Sequence, residues 1–243
     1  MNLFGDLLEI GHFLSFVTAN TSLLPRMMWA DLEGSALSFD GRLIPIANFV
    51  NLYRILMDET KVQLYEVVLL GASLPDIVQE YIHDDLSNLE PGYSFLSDKR
   101  NKFWEHGSAL MKAMTSTFSG RFVVSRNSSG VVWNHGQVRR WMRDCEDCLQ
   151  KLFLLYHLGS GQPARGTELA VMSWQNTNLH PRNVYWFSGY LNFVCRYNKT
   201  QTNQEKERVI SRSMPPEAAR LMIAYLTFVP KVLITSVTFP DRS

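Results

Sequence analysis

The sequence predicts an α+β fold, mainly helical: a helical N-terminal half, then a helix, a three-stranded β-meander and a closing helix. Three observations carry this. Apolar residues recur at three- and four-residue spacings from Pro45 to Leu70 and again from Gly136 to Leu158, the period of a helix with one buried face. Aromatic and β-branched residues crowd both sides of Ser188-Gly189 in "NVYWFSGYLNFVCRYNKT", the composition of two strands joined by a tight turn. Last, "MPPEAARLMIAYLTFV" opens on prolines and carries Glu217 in its first turn, where the helix macrodipole favours a carboxylate.

The elements follow in order. Asp40-Gly41 between the apolar pairs of "LSFDGRLIPI" marks a hairpin turn. The helix from Pro45 to Leu70 is expected to be interrupted near Asp58-Glu59. "LPDIVQEYIHDDL" reads as a short helix, and "SNLEPGYSFLSDKRN" as a turn-rich, aromatic loop. "KFWEHGSALMKAMTSTF" reads as helix, and "RFVVSRNSSGVVWN" as two short strands about an Asn-Ser-Ser-Gly turn. The helix from Gly136 to Leu158 places Val138, Trp141, Met142, Cys145, Cys148, Leu149, Leu152, Leu155 and Tyr156 on one side. After the aromatic hairpin comes the polar "QTNQEKER", then "VISRS" as a third strand. The loops between Gly120 and Asn134 are the expected domain boundary. That divides the chain into a helical region (1–130), a second domain (131–228) and a divergent tail (229–243).

Composition bounds the function classes. An apolar fraction of 46% and a charged fraction of 19% are those of a folded globular chain. The net charge of +1 neither requires nor excludes nucleic acid, because a basic face can sit inside a neutral total. Three cysteines make no disulfide framework and fit a reducing, intracellular compartment. No apolar run approaches the roughly 20 residues of a membrane span, and "MNLFGDLLEIGHFLSF" has no basic residue before its apolar part, unlike a signal peptide.

Several groups are candidates for chemistry. In "GQPARGTEL", Pro163 preorganises a helix start, which puts Arg165 and Glu168 three residues apart on one face of the first turn. Such a pair serves either as a local cap and ion pair or as an anion site. In the second case the guanidinium fork and the helix N–H groups would face a phosphate together, with "LAVMSW" burying the helix and holding the arginine. Lys199 ends the strand "YLNFVCRYN". It is either a solvated edge lysine or a mobile acid carried on a hairpin tip. Arg139, Arg140 and Arg143 flank Trp141 at helical spacing. They form either a solvated face or, with Arg196, a surface that tracks a nucleic-acid backbone. Cys145 and Cys148 lack a second pair at zinc spacing and read as structural. His83-Asp84-Asp85 reads as a polar patch at a helix end rather than a metal site. No cofactor or metal is expected.

Taken together and in order, these motifs resemble a known family. "Gly-x-x-x-Arg-Gly-x-Glu-Leu" opening a helix, a β-hairpin ending in "Asn-Lys-Thr", a further strand and a "Pro-Pro-Glu" helix are similar to the tyrosine recombinase catalytic domain. The "GQPARGTE" core, with "GYSFLSDKRN" and "VVWNHGQVRRWM", more narrowly resembles fungal proteins linked to mobile elements and RecQ-like helicases. The resemblance implies that Arg165 steadies the non-bridging oxygens of a scissile phosphate, that Glu168 buttresses the site and that Lys199 protonates the leaving hydroxyl. It further implies a nuclear protein with DNA as partner, alongside a second copy of the chain or a helicase-linked protein.

The departures are as informative. The family completes its site with His-x-x-Arg, a later His or Trp and a tyrosine nucleophile, all beyond the hairpin. This sequence has no His-x-x-Arg, its last histidine is His180, and Tyr225 is the only tyrosine after Lys199. The expectation is a truncated or decayed member that binds DNA with an incomplete strand-transfer site and does not cut it. The rival expectation is a non-catalytic interaction or scaffold domain of a helicase-linked protein.

Overall fold

A computed structural model describes residues 27–72, 81–128, 130–195 and 209–237. The fold is α+β, and the chain divides into two compact units, Met1–Ile55 and Leu56–Ser243.

In the first unit, strands β1 (Met27–Trp29), β2 (Ala36–Phe39) and β3 (Arg42–Pro45) form an antiparallel meander. Asp40 and Gly41 connect β2 to β3 with φ of 47° and 78°. Left-handed backbone at both turn positions matches the twist of a two-residue hairpin, which is why Asp-Gly occupies it. Between β1 and β2, the Asp31 carboxylate accepts from the Ser35 N–H at 2.8 Å and its hydroxyl at 2.6 Å. Helix α1 (Ile46–Val62) follows directly and carries the chain into the second unit.

The expected break at Asp58-Glu59 does not occur. The helix runs on and widens to π geometry over Gln63–Val68, ending at Leu70 and Gly71 with φ of 53° and 78°. A helix end leaves carbonyls without helical partners. Here the Val68 carbonyl accepts from the Trp141 indole N–H at 2.9 Å, so an indole on another helix closes this one. Of the helix expected over "LPDIVQEYIHDDL", residues 74–80 lie outside the described residues, and Ile82–Asp85 are not helical.

The helix expected from Lys102 to Phe118 is broken in two, α2 (Phe103–His106) and α3 (Ala109–Thr115), with α4 (Ser119–Phe122) after them. Gly107 falls at the break, and glycine is costly inside a helix. Strands β4 (Val123–Asn127) and β5 (Gly130–Trp133) pair antiparallel as expected. Helix α5 (His135–Gly159) is capped by the Asn134 side chain, which accepts from the Gln137 N–H at 3.2 Å. Its buried face is Trp141, Cys145, Cys148, Leu152, Leu155 and Tyr156, the spacing read from sequence.

Strands β6 (Val184–Phe187), β7 (Tyr190–Cys195) and β8 (Ile210–Ser213) form the second meander, with β7 central. Val184 faces Phe193 across β6 and β7, and Phe193 faces Arg212 across β7 and β8. The turn is at Ser188 and Gly189, φ 54° and 79°. Helix α7 (Pro216–Val237) runs beyond its expected end at Val229, and Leu221–Val229 are all buried. A helix apolar on every side belongs in the centre of a core. Helices α5, α2 and α3, the π segment and β7 surround it.

The irregular segment from Tyr81 to Asp98 is held by one buried ion pair. Arg182 and Asp84 meet at 2.7 Å with both side chains wholly buried. Asp84 is therefore no surface patch at a helix end, because its second oxygen accepts the Trp186 N–H at 2.9 Å. Removing one partner leaves an uncompensated buried charge, which costs about 3–5 kcal/mol. Arg182→Met is thus expected to lower the unfolding free energy by about that amount in urea denaturation. A loss below about 1 kcal/mol, the range of an exposed pair, would contradict this role.

Candidate functional site

The "GQPARGTEL" stretch lies between the end of α5 and a short helix, α6 (Gly166–Ala170). Arg165 is the N-cap residue, with extended backbone at φ −71° and ψ 151°. It therefore precedes the first turn in which the sequence places it. The helix is also shorter than "LAVMSW" predicts, and Val171 is 65% exposed. Long-range hydrogen bonds end it: the Ser173 N–H donates to the Asn183 side chain at 2.9 Å, and the Asn183 N–H donates to the Ser173 carbonyl at 2.7 Å. These tie the chain to the start of β6 instead of letting it continue as helix.

The expected ion pair between Arg165 and Glu168 is replaced by a different arrangement. Glu168 is buried, and its Oε2 accepts the backbone N–H of Arg165 at 3.2 Å. The same oxygen meets the guanidinium of Arg212, on β8, at 3.1 Å. Arg212 Nε donates to the Gln162 carbonyl at 2.8 Å, and Nη1 lies 3.2 Å from Cys195 Sγ. Burial and charge together explain the exchange of partners. A carboxylate with its side chain 6% exposed needs a cation equally withdrawn from water. Arg212 is buried and Arg165 is not.

The consequence is electrostatic. The charges of Glu168 and Arg212 cancel in the interior, while the Arg165 guanidinium is exposed and makes no ion pair among the described residues. His157, in the last turn of α5, is held below the usual imidazole range by burial and by Arg212. It adds no charge at neutral pH. Burial raises the Cys195 thiol against the opposing pull of Arg212, and raises the Tyr156 phenol to about 12. Within the loop itself, Gly161 to Ala170, Arg165 is thus the exposed charge.

Arg139, Arg140 and Arg143 are exposed on α5. Arg139 and Arg143 line a shallow depression of about 540 Å³ with Gly136, Met142 and Glu146, whereas Arg140 is not part of its wall. Asp144, Glu146 and Asp147 follow along the helix, so the basic strip occupies only its first turns. Arg196 and Lys199 lie outside the described residues. Cys145 and Cys148 are buried in the α5 face, where loss of water raises both thiols, Cys148 to about 12. Among the described residues no cluster of His, Cys, Asp and Glu could hold a metal ion, and no helix is long and apolar enough to cross a membrane.

Arg212 and Arg182 escape a reading of sequence alone. For Arg212 there was a signal: strand alternation in "VISRS" puts it on the same face as Ile210, and a charge on a core-facing position requires a partner. For Arg182 there was none, since "HPRN" carries no periodicity. No protein-family model matches the chain, and no solved structure gives a significant match.

The geometry separates two kinds of charge. Glu168→Gln leaves Arg212 buried without a counterion and is expected to cost about 3–5 kcal/mol of stability. Arg165→Ala removes an exposed group and is expected to change stability by about 0.5 kcal/mol or less. Paired urea denaturation curves measure both, and equal losses would contradict the assignment.

Proposed function

We propose that the chain is a tyrosine-recombinase-like DNA-binding domain whose own residues form only part of a strand-transfer site. The observation that carries this reading is an exposed guanidinium, without an ion pair among the described residues, on a loop whose other charge, that of Glu168, is neutralised in the interior. Arg165 offers a planar fork to the non-bridging oxygens of a backbone phosphate, and charge stabilisation is the main contribution a protein makes to phosphoryl transfer. Glu168 acts on the loop rather than on the phosphate. Lys199 would deliver a proton to the leaving oxygen. Arg139 and Arg143, over the shallow depression on α5, suit further contacts along a DNA backbone.

The missing nucleophile limits the chemistry. A phosphotyrosine intermediate needs an exposed phenol beside the phosphate. Tyr225 is buried in α7, its hydroxyl donates to the Cys145 carbonyl at 3.2 Å, and burial raises its pKa far above the usual phenol range. In this reading the 243 residues bind DNA and leave it uncut.

Binding driven by backbone contacts falls steeply with salt, because each neutralised phosphate releases counterions. Fluorescence anisotropy with a short duplex is expected to give a linear fall of log affinity with log salt. Arg165→Ala should reduce that slope by about one contact and the affinity by about tenfold. Absence of binding at low salt would favour a scaffold domain instead. A nicked suicide substrate is expected to yield no covalent adduct. An adduct that disappears in Tyr225→Phe would show that this chain carries the nucleophile after all.

A further inference from the structure

We infer that Arg212 is the positioning residue of the arginine loop, acting on Arg165 through Gln162 and Glu168 and touching no phosphate itself. The inference rests on the DNA-binding reading only for its consequence for affinity. Its structural basis is independent.

The loop has little else to hold it. Helix α6 has five residues and buries only Glu168 among them. So short a helix is not stable by its own hydrogen bonds. Gly161 at φ 83° and Pro163 are exposed and set the path of the chain, and the small Ala164 is the loop's one buried apolar side chain. The polar contacts that fix the chain on both sides of Arg165 come from a single guanidinium. Nε holds the carbonyl three residues before it, at 2.8 Å, and Nη2 holds the carboxylate three residues after it, at 3.1 Å. The carboxylate oxygen gripped by Arg212 is also the one that accepts the Arg165 N–H. A displacement of Arg212 is thereby passed to the backbone of Arg165 through one atom.

The rigid, planar fork matters as much as the charge. The third nitrogen reaches Cys195 at the end of β7, so Arg212 joins the loop and α6 to two strands at once. Lysine would keep the positive charge beside Glu168. Its compact ammonium on a flexible stem cannot span the same three acceptors in fixed geometry. The sheet itself does not depend on the fork: Met214 N–H still meets the Leu191 carbonyl at 2.8 Å, and β7 and β8 keep their pairing from Asn192 with Ser213 to Cys195 with Ile210.

The test is Arg212→Lys, with Arg212→Met/Glu168→Gln as a second variant that removes the fork without leaving a buried charge and keeps a side-chain oxygen for the Arg165 N–H. Backbone-amide hydrogen exchange is read at Arg165 and, as internal standards, at Leu152 in α5 and Ile223 in α7. Exchange at Arg165 should accelerate by about tenfold or more, the worth of a lost charge-assisted hydrogen bond. The two standards should keep wild-type protection. Unchanged exchange at Arg165, or equal acceleration at all three positions, overturns the inference. In DNA titrations, Arg165→Ala and Arg212→Lys should each weaken binding by about tenfold, and the double variant by no more than either alone. Additive losses, about a hundredfold together, overturn it as well. If the wild-type chain binds no DNA, the DNA-binding reading falls alone, and exchange at Arg165 decides the positioning role.

Discussion

The buried contact between Arg182 and Asp84 is the constraint on which the second unit depends. Two opposite charges removed from water cost several kcal/mol each unless geometry and further hydrogen bonds offset the loss. Here they do. Arg182 donates to the Asn88 carbonyl at 3.0 Å and the Asp85 carbonyl at 2.9 Å, and its guanidinium lies 4.8 Å from the Tyr93 ring centre and 4.4 Å from that of Tyr185. One side chain thereby gathers the segment before Asp98 and seats it on the first strand of the sheet. Asn176 reinforces it, donating to the carbonyls of Asn88 and Glu90 while accepting the Arg182 N–H. The segment has no helix or strand beyond its first residue, and its apolar anchors, Phe95 and Leu96, lie at its far end, so the cation orders the stretch around Asp84, Asp85 and Asn88.

The same device recurs at the arginine loop. Arg212 gathers Gln162, Glu168 and Cys195 much as Arg182 gathers Asp84, Asp85 and Asn88. In both places a strand-borne or strand-adjacent arginine orders irregular chain that buries few apolar side chains of its own. The difference lies in what is left at the surface. At Arg182 both charges of the ion pair are enclosed. Around Arg212 the enclosed pair cancels and an additional guanidinium, that of Arg165, is exposed. An interior that holds the loop and a surface charge that is free to bind are thus separate groups, which is why the site reads as a binding site.

What was legible in sequence was periodic. The α5 stripe, the Asp40-Gly41 and Ser188-Gly189 hairpins, the β8 strand and the Pro-started α7 all follow from spacing or turn chemistry. The failures are places where distant partners override local pattern. The helix after Arg165 stops because Asn183 captures Ser173, and Glu168 turns from Arg165 to Arg212 because only the latter is buried with it. The π-widened end of α1 is closed by Trp141, 73 positions away. No local window of the sequence names these partners, although the alternation in "VISRS" marks Arg212 as core-facing. Arg165 and Glu168 meet through a backbone hydrogen bond and not through the salt bridge their spacing suggests.

The central claim is that this exposed guanidinium and the first turns of α5 meet a nucleic-acid backbone while the buried arginines do not. Amide chemical-shift mapping during titration with a short DNA duplex tests it most directly. The account predicts shifts concentrated at Arg165 and Gly166 and along the α5 face from Gly136 to Glu146, with the Asp84 and Arg182 amides unmoved. Shifts absent there and concentrated on the exposed apolar strands β1 and β3 would contradict it.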